Sequence, residues 1–420
     1  MISSCSTSAF WTERPLTMSS DFLNFLFSQL TTASFIKKPE IMPLLIVTSA
    51  QWTLKHGYTE YSAIAFSWIG LLLGYFMGDF SAGTNLALSS LSLTKAINIR
   101  EAVSRSALIA YTYVLHFHTP YEKCLEPLVD GYKAGMATGD VESGIYCVYF
   151  YTHFQFVSSK NLQQLVLDSD TYRKLSKDYG QQTQYTGFSI YLQFFQNLVT
   201  GPETVALKGG SFDEDTEALK LNDAVMQAVI YQAKFPACAF FGEFQLGADL
   251  AIEQCEQLLK LLPGQPMLAT VIFSAGLCCF VASTVKTPKQ RKYKQYANRC
   301  RNKLKMWTVN GNPNVSSLCS ILDAEFELSQ GRRPICQKHY EAAVLSAGRR
   351  GMTHFQALAN ERFAAYWMSC GNKDEAEYRI REALKLYNDW GARHKVTLLR
   401  EHYDDLFQIP SSLFLPVVPS

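Results

Sequence analysis

Residue types that carry catalysis are present in this chain, but not at spacings that let them act together. A phosphate-binding loop needs consecutive backbone N–H groups and a lysine in the form Gly-x4-Gly-Lys-Ser/Thr, and neither Gly-Lys-Ser nor Gly-Lys-Thr occurs. Val205-Ala-Leu-Lys208 has the form of the kinase strand whose lysine pairs with phosphates. No glycine-rich loop precedes it, and His-Arg-Asp and Asp-Phe-Gly are both missing. Ser92-x-x-Lys95 matches the nucleophile pair of serine acyltransferases, but Ser-Asp-Asn and Lys-Thr-Gly are absent, so a turn of helix accounts for it. The histidines at 56, 116, 118, 153, 339, 354, 394 and 402 are dispersed, and on a helix His116-x-His118 points its rings to different faces. No metal site is expected from that pattern. With no Gly-x-Ser-x-Gly elbow and no His-Glu-x-x-His, nucleophilic and metal-assisted catalysis lack a starting point. The chain is expected to be no enzyme and to hold no cofactor.

One charge feature stands out. The run KTPKQRKYKQYANRCRNKLKMW, 286 to 307, contains Lys286, Lys289, Arg291, Lys292, Lys294, Arg299, Arg301, Lys303 and Lys305 without an acid. On a helix, Tyr293, Tyr296, Ala297, Cys300, Leu304 and Trp307 fall at steps of three and four and form one apolar face. Lys289, Arg291, Lys292, Lys294, Arg301 and Lys305 then make a candidate patch for an acidic peptide, anionic lipid or nucleic acid. The alternative is the solvated outer face of a packed helix. The second is the expected one, because 39 Lys plus Arg against 37 Asp plus Glu leave a charge of only +2. No nucleic-acid partner is expected.

The elements that position these residues follow from composition and periodicity. Charged residues are 18% of the 420, hydrophobic ones 48% and aromatic ones 13%, so the chain can bury a large core and expose little charge. Eleven scattered cysteines without a Cys-x-x-Cys pair fit neither a disulfide framework nor a zinc site. They read as small buried hydrophobes in a reducing, cytoplasmic setting, and no signal peptide is expected. The uncharged run at 61 to 78 reads as a buried helix. The run MLATVIFSAGLCCFVASTV, 267 to 285, is long enough to span a bilayer and is followed at once by the basic segment, so a membrane anchor there is the alternative to a helix buried in protein.

Periodicity is helical nearly throughout, with breaks at Gly78, Pro120, Ser159, Gly242, Pro288, Gly331 and Gly371. Steps near 40 residues, with two helix-length segments between breaks, predict an all-α fold: a tetratricopeptide-like superhelix of helical hairpins, an α-solenoid of period about 40 residues. The last hairpin carries the pattern most plainly. Small Ala364 and aromatic Trp367 precede the turn at Gly371, and Ala376, Ile380 and Ala383 follow it, where close helix approach needs small residues. A small residue five places after the turn recurs at Cys336, Gly247 and Gly83. The expected organisation is a disordered stretch at 1–20, hairpins over 21–199, an acidic loop at 200–217, further hairpins over 218–406 and a tail at 407–420.

The chain resembles the long helical segment that follows the ATPase module in large multidomain proteins joining a serine/threonine kinase, a predicted ATPase, sensor domains and often a histidine kinase. Residues 30 to 80, GYKAGMATGD at 131 to 140, NKLKMW at 302 to 307, LANERFAAYW at 358 to 367 and LYNDWGARHKV at 386 to 396 carry the resemblance. It implies that 267–285 is a helix of the array. The kinase and ATPase modules of that family lie before the matching segment, of which about 20 residues precede here, so the chain reads as a detached helical region or as a fragment of a larger kinase/ATPase. A non-enzymatic scaffold or regulatory module in signalling is expected, its concave surface binding a protein or peptide, among them a signalling kinase.

Overall fold

The structure, a computed structural model, describes residues 18–407 apart from 39, 60, 97–101, 219, 220 and 222. Residues 1–17 and 408–420 lie outside it, and with them nearly all of the stretch expected to be disordered and of the apolar tail. The first boundary moves, because a helix already begins at Met18. Helices α1 (Met18–Lys37) and α2 (Met42–His56) open the chain, followed by α3 (Ser62–Leu71) with a π-helical turn at Leu72–Phe76, and α4 (Phe80–Ala96). Next come α5 (Val103–Ile109), which runs on through π and 3-10 turns to Phe117, α6 (Leu125–Thr138) and α7 (Val141–Val157). They lead to α8 (Leu162–Asp178), α9 (Gln182–Val199) and the single turn α10 (Glu214–Glu217). The regular remainder alternates α11 (Ala224–Phe241), α12 (Phe244–Leu261), α13 (Leu268–Ala282), α14 (Gln290–Val309), α15 (Ser316–Ser329), α16 (Arg333–Arg349), α17 (Thr353–Ser369) and α18 (Lys373–Trp390). It ends in α19 (Arg393–His402) and α20 (Asp404–Phe407). No strand occurs among the described residues, and successive helices pack on one another. The fold is the expected all-α helical-hairpin array.

The repeat has a finer ruler than the 40-residue period. Gly311, Gly331, Gly351, Gly371 and Gly391, spaced 20 apart, all adopt positive φ. At each, the N–H of the following residue bonds back to the carbonyl four residues before the glycine: Asn312 to Trp307, Arg332 to Glu327, Met352 to Ala347, Asn372 to Trp367 and Ala392 to Tyr387. One helix and its left-handed cap thus make a 20-residue unit, and two units make a hairpin. At Gly371 a Cβ would meet nothing within 4 Å, so the left-handed backbone, not crowding, demands glycine there. The small residues five places on have the opposite cause. A Cβ on Gly83 would lie 2.5 Å from the Gly70 carbonyl oxygen, and one on Gly247 2.5 Å from Cys278 Sγ. Ala376 and Cys336 are fully buried in the same role.

The units sort into two layers. Helices α7, α9, α11 and α13 are buried around most of their circumference, whereas α8, α12, α14 and α18 bury a single stripe. The run at 267–285 is the inner helix α13, enclosed by α11, α12, α14 and α15 and closed at Ala282. Its membrane-like composition reflects burial in protein: among the described residues no helix is long and apolar enough to cross a membrane. The acidic connection at 200–217 is also more than a loop. Val205, Leu207 and Phe212 are buried, the chain pairs Lys208 with Asp213, and α10 follows, capped by Asp213 and tied to α11 by Glu214 and Lys234 at 2.8 Å.

The array winds back against itself, one turn packing on the next. The Asn314 amide donates to the carbonyls of His116 (2.7 Å) and Thr119 (2.9 Å) and accepts from the Tyr121 N–H (3.1 Å). His118 donates to the Asn310 carbonyl, His354 bonds the Ser159 hydroxyl, and His394 donates to the Asn197 carbonyl. Partners at this seam stand 192 to 198 residues apart, close to five hairpins of 40. Ser159 has φ of 62°, the only positive value outside glycine among the described residues, and its Oγ also accepts the His354 N–H. Part of the inner surface of the stacked hairpins is filled by aromatic rings. Phe156, Phe240, Phe355 and Trp390 meet along the axis with centroids 5.5 to 6.4 Å apart.

Two outcomes follow. Ala376→Leu should overpack the last hairpin and cost about 1–3 kcal/mol, whereas a substitution at exposed Lys385 should cost little; equal, negligible shifts in thermal unfolding would disprove the close approach. The second concerns acid. Burial pushes His153 and His354 down to about 3 and His116 to about 4. Unfolded, they titrate near 6.5, so the unfolded chain binds more protons as pH falls. The stability due to their neutral burial is complete above that value and is lost progressively toward the lower ones. His153 is wedged between Tyr149 and Tyr191 at 4.5 and 4.1 Å, and among the described residues neither ring nitrogen has a side-chain partner. His153→Phe should leave the urea midpoint at pH 7.5 intact or raised and flatten its fall toward pH 5; parallel curves for the two proteins would refute the assignment.

Candidate functional site

Where inner helices begin, a cavity of about 490 Å³ remains unfilled. Its floor is aromatic: Trp68 stacks on Tyr113 at 6.1 Å, Tyr113 meets Phe150 edge-on at 5.6 Å, and Tyr146 stacks on Phe150 at 6.3 Å. The rim is polar, with Glu142 and Ser143 from the first turn of α7, Gln181 to Gln184 from the start of α9, and Asp223 from the start of α11. These starts have local causes. Gly139 closes α6 in the left-handed region, and the Asp140 side chain then accepts from the Ser143 N–H to open α7. Asp223 caps α11 through the Val225 N–H at 2.9 Å. Arg105 donates to Ser143 Oγ at 3.2 Å and pairs with Asp140 at 3.4 Å, which spends its charge inside the wall. A hydrogen-bonded relay, Tyr191 to Gln232 to Gln265, reaches the wall from the core at 2.7 and 3.1 Å. Burial pushes the Tyr146 phenol up to about 12, with Glu142 and Asp223 adding to the effect, so the local field is negative.

The basic helix lies elsewhere, as α14 in the outer layer. Tyr293, Tyr296, Ala297, Cys300, Leu304 and Trp307 are its buried residues, the face read from the sequence. The six candidate patch residues do not act together. Lys289 pairs with Asp249 and Glu253, Arg301 pairs with Asp323 while lying 4.1 Å over the Phe326 ring, and Lys305 stands 3.8 Å from Asp323. Arg291, Lys292 and Lys294 are exposed and form no ion pair among the described residues. Half of the patch therefore ties α14 to α12 and α15. Of the repeat-packing set, Ala364, Ala376, Ile380 and Ala383 are fully buried. Gly371 is an exposed turn at φ 77°, and Trp367 is half-buried, stacked on Phe363 at 5.7 Å.

The sequence reading missed a buried charge network. Arg362 bonds Glu325 at 2.7 Å, and Glu325 accepts from Tyr340; Glu361 accepts from Tyr387 and pairs with Lys395 at 2.7 Å. Five helices, α15 to α19, are joined in this way. The signal was available, since Glu361 and Arg362 lie inside LANERFAAYW and Glu325 inside an otherwise apolar helix. Charges in such places are paired or absent. Cavity residues Arg105, Glu142 and Tyr146 were missed as well, although Asp140-Val-Glu-Ser143 carries the signature of a helix start.

The split of α14 can be measured. Replacing Arg291, Lys292 and Lys294 together by Gln should change unfolding free energy by less than about 0.5 kcal/mol. Arg301→Gln should cost about 2–3 kcal/mol, below the usual loss for a broken buried pair because Lys305 remains near Asp323. Equal losses would place Arg301 on the solvated face with the others.

No protein family's sequence profile matches the chain, and no curated protein matches it. Among solved structures it is similar to a circular tandem repeat protein with novel repeat topology and enhanced subunit contact surfaces, at 12% identity over 93% of this chain and 96% of that one, with a TM-score of 0.15. A likeness at that score adds nothing to the helical-repeat fold, which rests on the helices and packing above.

Proposed function

We propose that the chain is a non-enzymatic helical-repeat scaffold or regulatory module that holds a protein or peptide partner. The cavity is the observation that carries this reading. One inner helix from each of several consecutive units contributes to its wall, so that its shape depends on the array, and its aromatic floor and polar rim match the composition of a binding site. The segment resemblance extends the reading to signalling in the cytoplasm, with a kinase of the resembling family as partner or as the larger protein of which the array is one module.

A photo-crosslinking residue placed at Gln182 on the rim should capture a defined protein partner that the same residue at Lys385, far from the rim, does not. Identical products from the two positions, or none from either, would sink the scaffold. The non-enzymatic part is tested separately: highly purified chain should neither hydrolyse ATP nor transfer phosphate, and strong turnover would overturn it.

A further inference from the structure

The cavity's chemistry narrows the partner. Three features decide its sign. Arg105 is neutralised by Asp140 within the wall. Helix α9 begins at Gln182, after Gln181, with no side-chain cap and no acid in its first turn, which offers roughly half a positive charge. Against this stands the exposed carboxylate of Glu142, a whole negative charge that forms no ion pair among the described residues. An anion is therefore disfavoured. A purely apolar side chain would satisfy the aromatic rings but gain nothing from the Glu142 carboxylate at the rim.

We propose that the cavity seats a lysine or arginine side chain of a partner peptide, with its aliphatic stem along the half-buried Tyr146 ring and its charged head beside the exposed Glu142 carboxylate. Such a side chain has the two ends that the cavity has. Its methylene stem covers apolar surface while the cation lies beside a carboxylate. The rim amides of Gln181, Gln182 and Gln184 suit the backbone on either side of the inserted residue, which an extended peptide leaves free to bond. This inference rests on the scaffold reading and names what that scaffold holds.

The test is selection of phage-displayed random dodecapeptides on the full chain, followed by affinity measurement with synthetic peptides. The expected result is a set of ligands sharing one lysine or arginine, whose replacement by norleucine weakens binding at least about tenfold. Glu142→Gln, at an exposed position that does not disturb folding, should cause a similar loss and flatten the salt dependence, whereas Tyr146→Leu should weaken binding without changing that dependence. Ligands that lack a basic residue and bind Glu142→Gln equally well would overturn the inference and leave the scaffold standing. No ligand at all, together with no rim-specific crosslink, would overturn both. Arginine amide binding as tightly as the peptides would replace the peptide by a small basic molecule and so overturn its proposed source.

Discussion

A helix that is buried around most of its circumference cannot lie at a surface, and α7, α9, α11 and α13 are of that kind. Each must be surrounded, which two neighbours in a hairpin do not achieve. The outer layer, one amphipathic helix per hairpin, covers one side, and the preceding and following inner helices cover two more. The remaining side faces the axis and can be covered only by the array itself, returning after five hairpins. The pairs made by Asn314, His354 and His394 are the contacts that result, and Phe156 against Trp390 and Phe240 against Phe355 pack beside them. The seam thus follows from the burial of these four helices.

Local features were legible in the sequence, and relations between distant segments were not. Gly331, Gly371 and the small residues after them mark hairpins because their causes, a left-handed turn and a close approach, lie within a few residues of the mark. The apolar stripe of α14 was readable for the same reason. The charged stripe on its other side was not, since nothing near Arg301 in sequence reveals Asp323 across the interface. The run at 267–285 shows the same limit from another direction: lipid and surrounding protein demand the same apolar surface, and only the neighbours decide between them. The return of the array against itself was hidden entirely, because His118 and Asn310 carry no mutual signal across 192 residues.

Two segments singled out in the sequence hold polar groups with fixed partners. GYKAGMATGD ends in the cap that opens α7 beside the cavity, while LANERFAAYW supplies Glu361 and Arg362 to the buried network. Buried ion pairs of this type do little for stability compared with an apolar replacement, but they admit few alternative arrangements. A network fixing α15 to α19 in one register also fixes where α19 meets α9, and through α9 the edge of the cavity.

The seam has a kinetic consequence. An open array of hairpins adds units one at a time, each stabilised by its neighbour, and tolerates fraying from either end. Here the contacts made by Asn314, His354 and His394 join residues nearly two hundred positions apart, so the loop entropy must be overcome before they form. Folding is then expected to be slower than the local helical content suggests, because one turn of the array must meet the next. Unfolding becomes more nearly all-or-none, because losing α19 removes a neighbour of α9 in the middle of the chain as well as a helix from its end.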